Sequence, residues 1–470
     1  MQSDARTAPF SAFIVAGTHS GVGKTSLTLG LIGALRRRGL TVQPYKVGPD
    51  FIDPLHHRAA SGRDSVNLDG WMLDPASNRA SFARASADAD VAIVEGVMGL
   101  FDGSEGRTDR GSAAELAKLL DLPVVLLVDA WAMARSAAAV VHGFATFDSA
   151  VRLAGVVLNR VGGPGHTALI RDALDGRVPL LGALPQTPEV TIAERHLGLH
   201  LPEESRAEVR ERLTDLVEQA IDVDALLAAT KRERPAAPVA AGAAAARLGP
   251  AARRARIGVA RDEAFCFTYA DNLRLLEEAG AELIEWSPLR DALPSGLDAV
   301  YLPGGYPELH AEQLAENRAA RDGLRDFARA GGTVYGECGG LMYLGEAIEV
   351  DGRRFPVSGV FPYVTRLPAG LTIAYVEVRT SGGIFGPGRS ARGHLFHHSE
   401  LVTDPGPTLE RAFELRTVRG EVSREGFVAG NVLATYAHLH FGSDPGLADA
   451  FVAGALAGGE AASPLGTIGP

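Results

Sequence analysis

"AFIVAGTHSGVGKTSLTLGLIGALRRR", residues 12–38, runs from a short apolar strand through a glycine-rich turn into a helical pattern. A turn in that setting is a place to hold phosphate. Gly21 and Gly23 let backbone N–H groups curl around an anion, and the helix N-terminus adds about half a positive charge. Lys24 is placed to reach terminal phosphates, and the Thr25 hydroxyl is able to ligate Mg²⁺. Thr18 and His19, in the same loop, join the expected nucleotide-contacting set. The strict template G-x-x-x-x-G-K-[ST] is missed by one residue: Thr18 stands where it asks for a glycine, and Gly17 comes one position early.

Outward from this loop, β-branched runs alternate with helical stretches. "TVQPYKV" (41–47), "DVAIVEG" (90–96), "PVVLLVD" (123–129), "AGVVLNR" (154–160) and "PLLGALP" (179–185) read as buried parallel strands. Helical patterns at Lys24–Arg38 and Met133–Phe147 fall between them, and one long helix is expected over Glu203–Ala229. The alternation predicts an α/β fold, a P-loop domain with a doubly wound parallel sheet. In such sheets ligands gather at the C-terminal strand tips. Asp50 and Glu95 lie there and, with Thr25, make the expected metal set. Lys46 is placed for a γ-phosphate or a substrate carboxylate, and the amide of Asn159 for a purine edge.

Composition sets the frame. A chain of 470 residues exceeds one ordinary core, so more than one domain is expected. A net charge of −11 argues against nonspecific nucleic-acid binding. The N-terminus lacks secretory character, and no uncharged apolar run reaches the roughly 18 residues of a membrane helix. Two cysteines, Cys266 and Cys338, are too few for a disulfide framework. A cytoplasmic protein is expected, with no membrane and no nucleic-acid partner.

The stretch 234–255, nearly all Ala, Pro, Gly and Arg, offers little to bury and reads as a linker. It separates a first domain, 1–233, from a second, 256–470. There the α/β pattern restarts with "RIGVA" (256–260), "AELIEW" (281–286), "DAVYLPGG" (298–305) and "TVYGE" (333–337); antiparallel strands are expected around 357–380 and 391–436. "VYGECGGLMYLG" has the form strand, G-x-C-x-G turn, helix, the logic of a nucleophile elbow. Cys338 is then a candidate nucleophile, its thiolate favoured by the helix N-terminus. Amides of Gly339 and of Gly304 or Gly305 would form an oxyanion hole. "VLATYAHLHF" offers His438 and His440 as candidates for the general base, and Cys266 among aromatic residues reads as packing.

With these residues in hand, two resemblances appear. The phosphate loop resembles that of dethiobiotin synthetase; the related partitioning ATPases carry a signature lysine where His19 stands, which argues against a dimer-switch ATPase. "PGGYPE", "GECGG" and "YAHLHF" resemble the class I glutamine amidotransferases over about residues 256 to 455. Most of that class place a glutamate two residues after the histidine. Here that position is His440, a departure shared with the cobyrinate and cobyric acid synthase branch. Together with "PYKVGPDFIDPLHH", "VEGVMGLFDG" and "RGHLFHHSE", the chain resembles the a,c-diamide synthases of corrinoid biosynthesis.

The resemblance implies ATP and L-glutamine as co-substrates, Mg²⁺ as cofactor, and a polycarboxylate corrinoid macrocycle of the cobyrinate or hydrogenobyrinate type, amidated at its a and c positions. It implies substrate contacts from Lys46, Asp50, Asp53 and His56 or His57. The chemistry explains why the two halves share a chain. An acyl phosphate made at the first site needs unprotonated ammonia, and a γ-glutamyl thioester on Cys338 releases it, so a covered route between the domains is expected. Two other readings stay open on the sequence alone: multiple amidation of a corrinoid, as in cobyric acid synthases, and a nucleotide-dependent regulator with a degenerate amidotransferase domain. The sequence leaves the oligomeric state open, a homodimer included.

Overall fold

The computed structural model describes residues 10–187, 194–195, 198–199, 207–236, 253–367, 370–402 and 409–458. The chain divides into two compact units, Met1–Val239 and Ala240–Pro470. Most of the expected linker, residues 237–252, lies outside the described residues; Arg234 belongs with the first unit, its guanidinium 5.2 Å from the Phe10 ring centroid.

In the first unit, elements follow in the order β1 (Phe10–Gly17), α1 (Lys24–Arg37), β2 (Val42–Val47), α2 (Ile52–Ser61), β3 (Val66–Leu68), α3 (Pro75–Ala85), β4 (Val91–Glu95), α4 (Ala113–Leu119), β5 (Val124–Asp129), α5 (Arg135–Phe147), β6 (Leu153–Val161), α6 (Pro164–Leu174) and β7 (Leu180–Pro185). A short ladder of β8 (Glu194–Arg195) and β9 (Gly198–Leu199) precedes α7 (Ala207–Ala220), α8 (Val223–Thr230) and β10 (Lys231–Arg232). The main sheet has the order β3-β2-β4-β1-β5-β6-β7, all parallel, with β10 antiparallel on β1. Successive side chains of β1 enter opposite faces, as strand geometry requires. Phe13 and Val15 pack with α1, α7 and α8, while Ala12, Ile14 and Ala16 join the core under α3 to α6. Every residue of β1 is buried, which explains its unbroken apolar run.

The single helix expected over 203–229 is two. Asp222 accepts a hydrogen bond from the Ala225 N–H and caps α8, so the chain turns there. Residues 203–206 lie outside the described residues.

The second unit begins with β11 (Ala255–Ala260), α9 (Ala270–Glu278), β12 (Ala281–Trp286), β13 (Ala299–Leu302), α10 (Ala311–Glu316), α11 (Arg318–Arg329), β14 (Thr333–Glu337) and α12 (Gly339–Leu344). Then come β15 (Ala347–Val350), β16 (Arg353–Pro356), β17 (Val364–Leu367), β18 (Thr372–Thr380), β19 (Ser390–His397), β20 (Glu400–Leu401), β21 (Glu410–Thr417), β22 (Val422–Ala429), β23 (Val432–Thr435), β24 (His438–Leu439) and α13 (Gly446–Gly458). One sheet runs β12-β11-β13-β14-β23-β22-β21-β18-β19-β24, parallel from β12 to β23 and antiparallel beyond. A four-stranded sheet, β16-β15-β17-β20, is inserted in sequence between β14 and β21 of the larger one.

Close packing of α1 on α7 explains two glycines. A Cβ on Gly30 would lie 2.4 Å from Val217 Cγ2 and 2.7 Å from the Leu213 carbonyl, and one on Gly33 would lie 2.0 Å from Thr214 Oγ1. Alanine normally gains about 1 kcal/mol over glycine inside a helix. At Gly30 that gain is overridden, and Gly30→Ala should destabilise the unit by about 1–3 kcal/mol. Gly143 in α5 meets nothing within 4 Å, so Gly143→Ala should stabilise by up to about 1 kcal/mol. Calorimetry of the two variants should show thermal midpoints moving in opposite directions.

Candidate active site

In the first unit the named side chains come from the ends of four strands of one sheet, three of them adjacent (β2, β4 and β1) and the fourth, β6, separated from β1 by β5. The loop after β1 carries Thr18 to Thr25, β2 ends at Lys46, β4 ends in Glu95, and β6 carries Asn159. Gly21 and Gly23 have φ of 77° and 100°, a left-handed backbone that glycine adopts without strain. Gly21 is open to solvent. The Thr18 hydroxyl and His19 Nδ1 are 2.9 Å apart.

Lys24 folds back along the loop, its Nζ donating to the carbonyls of His19 at 3.2 Å and Met98 at 2.6 Å. Burial, and after it the Lys46 charge, bring the Lys24 ammonium down to about 8. Met98 is held at φ 49°. Its role is a main-chain one, which residue type does not signal.

Lys46 is the hub of the pocket. Its ammonium is 3% exposed; it donates to Glu95 Oε1 at 2.9 Å and to the Gly96 carbonyl at 3.2 Å, and it forms a close ion pair with Asp53. Asp50 Oδ2 stands 4.0 Å away. Burial opposes the Lys46 charge, but the three carboxylates, Asp53 foremost, hold it above its ordinary range. Burial also works against ionised Glu95; Lys46 and the His57 ring nevertheless keep its carboxyl well below the usual range. For Asp53, burial and then Asp50 push the carboxyl up, against the pull of Lys46.

The other expected residues separate by depth. Asp50 is partly exposed and caps α2, accepting from the N–H groups of Ile52 at 2.8 Å and Asp53 at 3.1 Å. His57 sits behind Glu95, with Nε2 2.7 Å from Glu95 Oε2 and Nδ1 3.0 Å from Ser65 Oγ. His56 and His57, expected among the substrate contacts, are both fully buried, on an α2 face that packs inward. The Asn159 amide donates to the Val22 carbonyl at 2.8 Å and its oxygen accepts from the Arg160 N–H at 2.9 Å; it braces the phosphate loop.

The metal set is testable on donor chemistry. Thr25 Oγ1 and Glu95 Oε1 lie 2.8 Å apart. Neighbouring oxygens on Mg²⁺, with bonds of about 2.0–2.1 Å, are about 2.9 Å apart, so the pair suits that ion. Among the described residues no group of three or more His, Cys, Asp or Glu side chains is arranged to hold a metal. Mg²⁺ bound largely by water and phosphate needs no such cage.

In the second unit three adjacent parallel strands, β13, β14 and β23, end at one edge. Gly304 and Gly305 follow the first, Cys338 the second and His438 the third. Cys338 has φ 48° and ψ −98°, a strained turn that lifts its side chain off the sheet into the start of α12. Its N–H donates to the Thr435 carbonyl at 2.7 Å, and Sγ lies 3.8 Å from the Phe396 carbonyl. A Cβ on Gly304 would lie 2.4 Å from His438 Cε1, and one on Gly339 would lie 3.1 Å from the Gly305 nitrogen. These glycines leave room for the imidazole and for the amides.

Cys338 is buried, and burial followed by the charge of Glu308 pushes its thiol up, against the pull of the Gly339 N–H. Cys266, expected as packing, is the less buried of the two.

The sequence reading missed what surrounds His438. Its ring stacks on His394, with centroids 4.8 Å apart and planes at 16°. Tyr269 OH lies 3.0 Å from His394 Nδ1, and the Tyr269 ring meets His440 at 4.5 Å. His440 itself accepts from the Gly442 N–H at 3.1 Å, so the residue at the usual glutamate position shapes its own turn. Asn272 accepts from the Phe441 N–H at 2.7 Å and donates to the Leu439 carbonyl at 2.8 Å. Only a polar residue in an apolar helix face hinted at Asn272.

Comparison with known proteins now bears on this geometry. Residues 13–199 match the CobQ/CobB/MinD/ParA nucleotide binding domain, and residues 256–446 the CobB/CobQ-like glutamine amidotransferase domain. A cobyrinate a,c-diamide synthase of Syntrophotalea carbinolica is 47% identical, covering 93% of this chain and 97% of the relative. The chain belongs to the cobyrinate a,c-diamide synthase family. Proteins of the same name from a Synechococcus species and from Listeria innocua are each 40% identical, across 94% and 92% of this chain and 97% of their own lengths. The chain is accordingly a glutamine-hydrolysing, ATP-dependent amidating ligase, with ATP and glutamine as co-substrates.

The buried histidines give the second unit an acid limit. Burial brings His440 down to about 4, below its unfolded value of about 6.5. A depressed folded value stabilises fully above pH about 6.5 and is lost as pH falls through about 4. Glu337 and Glu425, raised to about 7 chiefly by burial, act oppositely over their own window, since acidification neutralises them. His440→Asn keeps an acceptor for Gly442 and removes the titration. Its thermal midpoint should fall less than the parent's between pH 7 and pH 4.5, as followed by circular dichroism.

Proposed function

We propose that this chain amidates the a and c carboxylates of cobyrinate or hydrogenobyrinate, using ammonia that its second unit releases from glutamine. One observation carries the division of labour: a phosphate loop with its lysine and carboxylates, and a cysteine on a strained strand-to-helix turn, each lie at the C-terminal strand ends of separate sheets in one chain.

In the second unit Cys338 Sγ attacks the glutamine side-chain carbonyl while its proton passes to His438. The amides of Gly339 and Gly305 or Gly304 receive the developing oxyanion. His438 returns the proton to the departing nitrogen, leaving a γ-glutamyl thioester and NH₃. Water then cleaves the thioester to glutamate and restores the thiol. His438 takes the proton as the sulfur attacks, so no free thiolate need form first.

In the first unit the loop amides of Gly21 and Gly23, with Lys24, hold the phosphates, with Thr18, His19 and Asn159 around the nucleotide. Thr25 and Glu95, with Asp50 near them, would hold Mg²⁺, which neutralises phosphate charge when bound. A substrate carboxylate oxygen attacks the γ-phosphorus and ADP leaves. Ammonia then attacks the acyl phosphate, and inorganic phosphate departs as the amide forms. Asp50, partly exposed, forms the rim that meets the substrate, and Lys46, Asp53, His56 and His57 hold that rim from behind.

Among the described residues no helix is long and apolar enough to cross a membrane. A cytoplasmic setting suits two cysteines that are both free.

Cys338→Ser should lower glutamine-dependent amidation at least about a thousandfold and leave amidation with added ammonium salt intact. Lys24→Ala should lower both activities by about a hundredfold or more. Product masses should rise by two amidations in the parent; four would favour the cobyric acid reading. An ammonia-dependent rate that disappears in Cys338→Ser would overturn the division of labour.

A further inference from the structure

Two buried carboxylates of the second unit, Glu337 and Glu425, have no part in the chemistry above. Glu337 directly precedes Cys338, at the tip of β14, and is buried. Its Oε2 accepts from Tyr301 OH at 2.8 Å, and its Oε1 accepts from Tyr335 OH at 2.6 Å and from the Leu439 N–H at 3.0 Å. Tyr301 comes from β13, Tyr335 from β14, and Leu439 from β24, where it follows His438. The phenol rings of Tyr301 and Tyr335 stack at 5.5 Å and 14°, and Phe441 packs against both.

We infer that Glu337 is a positioning residue: it ties the main chain beside His438 to the strand that carries Cys338, and so sets the base against the nucleophile. The inference rests on the reading of Cys338 as nucleophile and His438 as its base. In this chain a histidine, His440, occupies the position two residues after His438, where a carboxylate would act on the imidazole directly. Glu337 supplies a carboxylate from the opposite side and acts through the Leu439 N–H.

Three features point to this role. Burying a carboxylate in a core otherwise built of aromatic rings is costly unless it is fully hydrogen-bonded, and here three donors converge on it from three strands. The Leu439 N–H only donates, so the Glu337 oxygen facing it must accept, and the two phenol O–H groups complete the set. The bonds span the places where the register of catalytic groups is decided. β24 is only two residues long, and its pairing with β19 is Gly393 to Leu439 and His394 to His438. Glu337 fastens this short strand to the central sheet from its other side. Burial raises the Glu337 carboxyl to about 7, while Tyr335, Leu439 and Tyr301 pull it down, so the charge depends on those donors.

Glu425 differs. It binds Thr435 Oγ1 and the Tyr436 N–H, and so braces the turn after β23 without reaching the His438 segment.

The experiment compares Glu337→Gln, Tyr335→Phe and Cys338→Ser in the full chain, measuring glutaminase kcat and KM and amidation driven by ammonium salt. Glu337→Gln should lower glutaminase kcat about a hundredfold, the scale of a displacement of about 1 Å, while KM for glutamine stays within about threefold and ammonia-driven amidation is retained. Tyr335→Phe fills nearly the same volume and removes one donor; its kcat should fall about three- to tenfold at constant KM. Glu337→Gln with parental kcat overturns the inference, as does a loss expressed in KM alone. Should Glu337→Gln fail to fold, Tyr335→Phe decides: an unchanged kcat overturns the clamp. Cys338→Ser separates the two failures. If it retains glutaminase activity the nucleophile assignment is wrong, whereas an inactive Cys338→Ser beside a fully active Glu337→Gln refutes the clamp alone.

Discussion

A lysine ammonium sealed from water is the constraint on which the first unit's site is built. Lys46 is held by Glu95 and Asp53 with Asp50 near by, and Glu95 is in turn held by Thr25 and His57. Removing one partner of such a buried group typically costs about 3–5 kcal/mol, so each member fixes the others. The ends of β2 and β4, the start of α1 and the inward face of α2 are thereby locked to one point. Packing of the sheet brings these elements near one another; the charge network sets their positions to fractions of an ångström.

The second unit solves the same problem with sterics. Cys338 sits at a positive φ that costs non-glycine residues of order 1–3 kcal/mol, and surrounding structure must hold it there. The Thr435 carbonyl grips its N–H. Gly340 follows, where an added Cβ would lie 2.1 Å from the Leu302 carbonyl, so α12 starts flush against β13. The glycines on either side of the cysteine permit this closeness, and the thiol is held at the sheet edge in consequence.

Much of this was legible in the residues. Apolar runs such as "DVAIVEG" and "PVVLLVD" are strands because both sheet faces are covered, which leaves no polar alternation to confuse the reading. The phosphate loop and the cysteine turn announce themselves through glycine spacing. What escaped was long-range or main-chain. The Met98 carbonyl on Lys24, Asn272 spanning the turn at Phe441, and Glu337 reaching Leu439 about a hundred residues on all depend on tertiary approach, which no local period encodes. His56 and His57 differ: their polar side chains read as contacts in the sequence, and the α2 face that carries them turns inward.

The Lys24 amine has a further meaning. Its ammonium is held by two loop carbonyls, at His19 and Met98. Any anion that draws the amine away must replace both bonds, so the grip of this lysine on a ligand is a difference between two sets of oxygens, one of them supplied by the main chain.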